Sequence, residues 1–262
     1  MKKMLSNYIE WLRLAVAVVL MAAALIMSGF VHIPIVSVGL MLVVLINWVM
    51  FRSEKLNLSA LGFDLKPHHL MLVPLGLMAA SLAYLLSYGV GAFIRGDEVR
   101  LNAAVDWKAF FYKFWLVLPT VAVQDFLVVG YCYHKLIRLT NVRLATLIVG
   151  FCFVSMHDVW GGNIINNLFF ASGLFAGYLM FSTALLRSGS IWLVIGLHWG
   201  NNFTNSFIFT LKPTATSWLY LHGPLRVFST WQAIALLVAF LLNTVCVILL
   251  IRVVWRKRQL FV

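Results

Sequence analysis

Long apolar runs of roughly twenty residues, separated by short polar loops, constrain this chain more than any single motif does. A run of that length crosses a bilayer core as a helix, because a helix pairs its backbone N–H and C=O groups within one segment. Eight runs are readable: Met1 to Phe30, Val31 to Phe51, Leu70 to Phe93, Lys108 to Tyr133, Leu144 to Trp160, Ile164 to Leu186, Ser190 to Leu211 and Trp231 to Val254. With 63% hydrophobic and only 11% charged residues, the chain lacks the polar side chains to cover a water-facing surface. The expectation is an all-α integral membrane protein of about eight transmembrane helices, forming a single polytopic domain over residues 1–262. The first run begins with Met-Lys-Lys as a signal peptide would, but Glu10 precedes its apolar part and a second run follows at once, so it reads as a retained helix.

A net charge of +12 would suggest nucleic acid in a soluble chain. Here the basic residues fall in short loops beside apolar runs, which points to anionic lipid and excludes a nucleic-acid partner. With the N-terminus cytoplasmic, fourteen basic residues lie inside, among them Arg52, Lys55, Lys135, Arg138, Arg143 and Arg256, and six lie outside. That asymmetry predicts both termini in the cytoplasm. Cys132, Cys152 and Cys246 lack metal or disulfide spacing and read as small buried side chains. His68-His69 reads as part of a solvated loop, and His32 as an interfacial residue beside the turn at Pro34. Gly161-Gly162-Asn163 marks another turn, and Gly173-xxx-Gly177 a close helix contact.

Three runs carry polar groups at depths where an unpaired polar atom is costly. His198 and Asn202, four residues apart, stack on one helical face. His157 lies near the far end of a short fifth run, so a tilted or indented helix is needed to bring it to the depth of His198. Gln124 and Asp125 lie one turn beyond Pro119, a predicted kink, and Asp125 is the one acidic residue well inside a predicted helix. An acid, two histidines and amides in a dry cavity suit amide hydrolysis, with activation of water and stabilisation of an oxyanion. Equally, Asp125, His157 and His198 could ligate a divalent metal such as zinc. Spacing leaves both open.

These residues resemble the CPBP membrane proteins, a family that includes type II CAAX prenyl proteases and bacteriocin-processing or immunity (Abi) proteins. The family pattern runs Glu-Glu-xxx-Arg, Phe-xxx-His, then His-xxx-Asn on a helix preceded by a stretch like TGSLW. The chain shows Phe153-xxx-His157, Ser188-Gly189-Ser190-Ile191-Trp192 and His198-xxx-Asn202 in that order. The resemblance covers about Val121 to Phe203 and implies a core of about residues 108–211, in a bacterial plasma membrane. It implies an intramembrane endopeptidase acting on a lipidated or membrane-associated peptide. His157 would be the partner of the general base, and His198 with Asn202 the oxyanion donors.

The first motif departs from the pattern. Gln124-Asp125 stands where the family has Glu-Glu, and Val129 where it has arginine. Gln124 would occupy the general-base position, and a carboxamide cannot accept a proton at useful pH. Three explanations are open: Asp125 supplies the carboxylate, the chain is a non-catalytic pseudo-protease acting as scaffold, immunity or regulatory protein, or Gln124 was introduced to trap a complex. A transporter or proton relay is a further alternative, for which the sequence lacks two similar halves with broken helices.

Overall fold

The computed structural model describes residues 2–30, 37–159, 164–210, 212–223 and 229–256. In chain order these form α1 (Lys2–Phe30), α2 (Val38–Ser53), a 3-10 turn (Leu58–Leu61), α3 (Pro67–Leu70), α4 (Leu72–Arg95), β1 (Glu98–Leu101), α5 (Trp107–Val128) and α6 (Tyr131–Leu139). There follow α7 (Val142–Ser155), α8 (Ile164–Ser188), α9 (Ile191–Phe203), a π turn (Thr204–Ile208), β2 (Phe209–Thr210), β3 (Leu219–His222) and α10 (Thr230–Val254). The expected turns at His32 to Pro34 and Gly161 to Asn163, and the basic residues Arg226, Lys257 and Arg258, lie outside the described residues.

Every expected run contains a helix, but the count of eight full spans needs correction. Among the described residues five stretches are long and apolar enough to cross a membrane: Tyr8–Gly29, Pro67–Arg95, Trp107–Leu139, Asn167–Ser188 and Thr230–Val254. Val38–Ser53 and Val142–Ser155 are shorter apolar helices, and α9 has 13 residues, about 20 Å of helix. A short α9 is possible because protein surrounds it: Leu193 to Gly200 are all buried. The outward faces of α1, α4 and α10 carry exposed Val19, Ile26, Leu82, Leu86, Leu242 and Leu249, the surface that lipid would cover.

The closest helix pair is α4 with α9, and glycine makes it so. A Cβ at Gly76 would stand 2.7 Å from the Leu193 carbonyl oxygen and from the Leu197 nitrogen. Added Cβ atoms at Gly196 and Gly200 would press into the carbonyls of Val73 and Leu77. The backbones therefore touch without intervening side chains, as small-residue contacts in membranes allow. The close-packing signature is thus Gly196-xxx-Gly200. A Cβ on Gly177 meets nothing within 4 Å, and one on Gly173 only Phe240 at 3.4 Å, so that expected contact is corrected: both glycines line a cavity.

The two ends of the bundle differ. At one end β1, β3 and β2 form a small sheet in that order, β1–β3 antiparallel and β2–β3 parallel. Such short strands, buried on little of either face, carry no periodic signal. At the other end, the segment His134 to Arg143, expected as a loop, is largely the helix α6, with Lys135 almost fully buried. Lys135 donates to Glu54 at 2.6 Å and to Glu10, while Arg138 reaches Glu54 at 2.7 Å and Arg13 reaches Glu10 at 2.8 Å. The Tyr131 hydroxyl donates to Glu54 as well. This ionic cluster ties α1, the end of α2 and α6 together. His69 is buried rather than solvated, with Nδ1 2.6 Å from Asp64 Oδ1, which corrects the reading of His68-His69 for His69, while His68 is exposed.

Candidate functional site

Local rules place the first site residues. Asp106 caps α5 by accepting from the Ala109 N–H at 3.0 Å, and Pro119 lies within the helix. The helix breaks at Val129-Gly130, just past Gln124 and Asp125. Gly130 is required there because any Cβ would strike the Phe126 carbonyl and the Asn47 side chain. Asn47, fully buried on α2, stitches the break. Its amide donates to the Phe126 carbonyl at 3.3 Å and to the Val43 carbonyl at 2.8 Å, and its oxygen accepts from the Tyr131 N–H at 2.7 Å. Where the resemblance calls for arginine, buried Val129 stands, and the order of this corner comes from α2.

Ser188 to Trp192 positions α9. Gly189 adopts φ +75, Ser190 caps the helix through the Trp192 N–H, and the Ser190 hydroxyl donates to the Gly62 carbonyl at 3.2 Å. The Trp192 indole N–H donates to the Asp64 carbonyl at 2.8 Å, and its ring stacks on Phe63 with centroids 4.8 Å apart. This docking, with the α4 contact, fixes the height and rotation of His198.

His198 and Asp125 form a buried pair, with Nδ1 2.8 Å from Oδ1. Phe181 stacks on the imidazole at 4.6 Å. The second Asp125 oxygen has no hydrogen-bond partner among the described residues. With Nδ1 turned to the carboxylate, Nε2 is the ring nitrogen left for a cavity of about 690 Å³ that His198 lines. Gln124, His157 and Asn202 line the same cavity, and Asp125 does not. Its carboxylate is behind the histidine, a consequence of the roughly 100° between neighbouring helical residues.

His157 arrives by a different route from the tilted helix expected. α7 ends at Ser155, and His157 follows in the turn, its Nδ1 2.8 Å from the Phe153 carbonyl oxygen. A carbonyl can only accept, so Nδ1 carries the proton and Nε2 is a lone-pair acceptor. Phe153 stands between the histidines, 4.7 Å from the ring of His157 and 6.3 Å from that of His198. Gln124 Oε1 is buried with no hydrogen-bond partner among the described residues.

The walls include residues that the sequence reading passed over. Asn201, Asn205 and Asn243 bring three more carboxamides, and Lys113 is the single charged side chain among the described lining residues. Asn205 accepts from the Tyr88 hydroxyl at 2.7 Å, and Asn243 donates to the Ala83 carbonyl at 2.6 Å. Asn201 and Asn205 lie in Gly-Asn-Asn-Phe-Thr-Asn, an asparagine density unusual in an apolar run and a legible signal. Asn47, the one asparagine in its run, was another.

For a metal, the donor set does not fit. Among the described residues no three His, Cys, Asp or Glu side chains converge. Asp125 and His198 bond each other through Oδ1 and Nδ1, and Asp125 is outside the cavity that His157 and His198 share.

The all-α bundle thus sets two histidines and several carboxamides around a largely apolar cavity, where polar groups in a membrane mark a functional site. Residues 106–204, from the cap of α5 to the end of α9, match the family of type II CAAX prenyl endopeptidases, Rce1-like. Over that core the chain is similar to the CPBP family, with a divergent first motif. No curated protein and no solved structure matches the chain.

Proposed function

We propose that the chain is an intramembrane endopeptidase for a membrane-associated peptide, in which the pair Asp125–His198 replaces the missing glutamate. The observation that carries this is the 2.8 Å contact between Asp125 Oδ1 and His198 Nδ1, fully buried behind the cavity. A carboxylate held against one imidazole nitrogen fixes the tautomer and stabilises the imidazolium that forms when the other nitrogen takes a proton. In this reading His198 Nε2 deprotonates a water as it attacks the scissile carbonyl carbon. The amide N–H groups of Gln124 and Asn202 hold the resulting oxyanion. His198 then returns the proton to the leaving nitrogen as the C–N bond breaks, giving a carboxylic acid and an amine, which separate as carboxylate and ammonium once the acid passes its proton to the amine. His157, with Nε2 as an acceptor, orients the water. Gln124 is here a hydrogen-bond donor, since its carboxamide cannot serve as a base, and Asp125 is a positioning residue.

A second reading has its own observation. Gln124 for glutamate and Val129 for arginine remove two charged groups from the family motif, as a peptide-binding scaffold without catalysis would tolerate. Purified protein in lipid, offered prenylated and leader-bearing peptides, separates the two. The enzyme reading expects cleavage by the chain as it stands and its loss in Asp125→Asn. Peptide binding without cleavage, unchanged in Asp125→Asn and His198→Ala, would establish the scaffold. Cleavage appearing only in Gln124→Glu would show that the base belongs at position 124 and overturn the role given to His198.

A further inference from the structure

The cavity is not equally open along its length. Its floor is Phe153, Met180, Phe181 and His198, all buried, toward the end that holds the ionic cluster. Below that floor the bundle is shut. Gly62 and Gly189 meet backbone to backbone, Ser188 and Ser190 are buried, and Trp192 lies flat on Phe63. Toward the sheet end the lining becomes exposed: Lys113, Leu116 and Thr120 on α5, Phe170 on α8, and Asn205 and Ser206 on the π turn. Lys113 is about two turns from the start of α5, and β1 leads into that helix, so the mouth lies beside the sheet.

The charges are as unequal as the openings. Arg13, Arg52, Lys55, Lys66, Lys135, Arg138, Arg143, Arg187, Arg252 and Arg256 gather toward the closed end. Arg95, Arg100, Lys108, Lys113 and Lys212 are the described basic residues toward the sheet. Basic residues in short loops remain on the cytoplasmic side. The closed end is then cytoplasmic, and the mouth faces the other way.

We propose that the site is loaded from the non-cytoplasmic half of the membrane, so that its substrate is a peptide segment presented on that side and not a cytosolic tail. The mouth suits such a segment. Asn201, Asn205 and Asn243 offer donors and acceptors to a peptide main chain, while Gly173 and Gly177 with Phe169, Phe170 and Phe240 form an apolar wall for its side chains. No acidic side chain lines the described cavity, so an uncharged or acidic segment enters without repulsion, and a basic one meets Lys113. The inference rests on the peptide-binding reading for its occupant. The side of entry can be measured without any substrate.

The test is thiol labelling of single-cysteine variants in intact cells. Cys132, Cys152 and Cys246 are replaced by alanine, and Lys113→Cys or Asn205→Cys marks the mouth while exposed Ser59→Cys marks the closed end. A membrane-impermeant maleimide is expected to label both mouth positions in intact cells and Ser59→Cys only after permeabilisation. Labelling of Ser59→Cys in intact cells with the mouth protected would reverse the orientation and overturn the proposal. So would mouth positions that react only after permeabilisation, or that stay unreactive in purified protein whose Ser59→Cys counterpart reacts. Because labelling needs no turnover, a protein that never cleaves a peptide still returns a clear answer on the side of entry.

Discussion

At the scale of single residues, the decisive fact is that Asp125 serves the cavity through His198 and not directly. The Gln124-Asp125 dipeptide is legible in the sequence as the degenerate form of an acidic motif. Which of the two faces the cavity is not, because it depends on the rotation of α5, and that rotation is set at the break by Gly130 and Asn47. If His198 works as a base held by Asp125, Asp125→Asn should lower kcat by roughly 10³–10⁴-fold with little change in KM, since the asparagine amide favours the wrong tautomer. Steady-state kinetics in lipid checks this. Asn47 acts by position alone. Asn47→Leu strands the Tyr131 N–H and the Phe126 carbonyl in a dry interior and should cost about 1–3 kcal/mol per group left without a partner, read as a lower unfolding temperature in detergent. Activity should fall with it, because the same bonds place Gln124.

Among elements, two contacts govern the site, and each ties the matched segment to helices outside it. The α4–α9 contact is made of glycine, and its cost can be measured by contrast. Gly196→Ala or Gly200→Ala must push α4 away from α9 and should abolish stable folding. Gly177→Ala points into open cavity and should leave the unfolding temperature unchanged or raise it slightly, by helix propensity of up to about 1 kcal/mol. Thermal unfolding of the three variants side by side decides it. The ionic cluster is the second contact. Lys135→Met leaves Glu10 and Glu54 facing each other without the cation between them and should destabilise by about 3–5 kcal/mol, partly recovered in Lys135→Met with Glu54→Gln. Burial alone would raise the Glu54 carboxyl, but hydrogen bonds from Lys135 and Tyr131 and the charges of Lys135 and Arg138 outweigh it and hold it below its ordinary value. A depressed carboxylate contributes stability at neutral pH that is lost as pH falls through its folded value. The unfolding temperature should therefore drop on acidification from about pH 5 to 3, and Glu54→Gln should flatten that slope.

Over the whole molecule, apolar runs and basic loops determined the membrane bundle, because hydrocarbon leaves a backbone no partners but its own and any sequence of such runs must become helices. The ordered histidine and asparagine motifs likewise determined which segments share a polar layer. Tertiary structure decided the rest. It gave α9 only 13 residues, which suffices because other helices and not lipid surround it. It ended α7 before His157, so that a turn delivers the imidazole to the cavity. It buried Lys135 against Glu10, 125 positions away in the chain, a neutralisation that no local window contains. And it put Asp125 behind His198, because the direction of a side chain follows from the rotation of its helix, and Gly130 at the helix break with the distant Asn47 fixes that rotation.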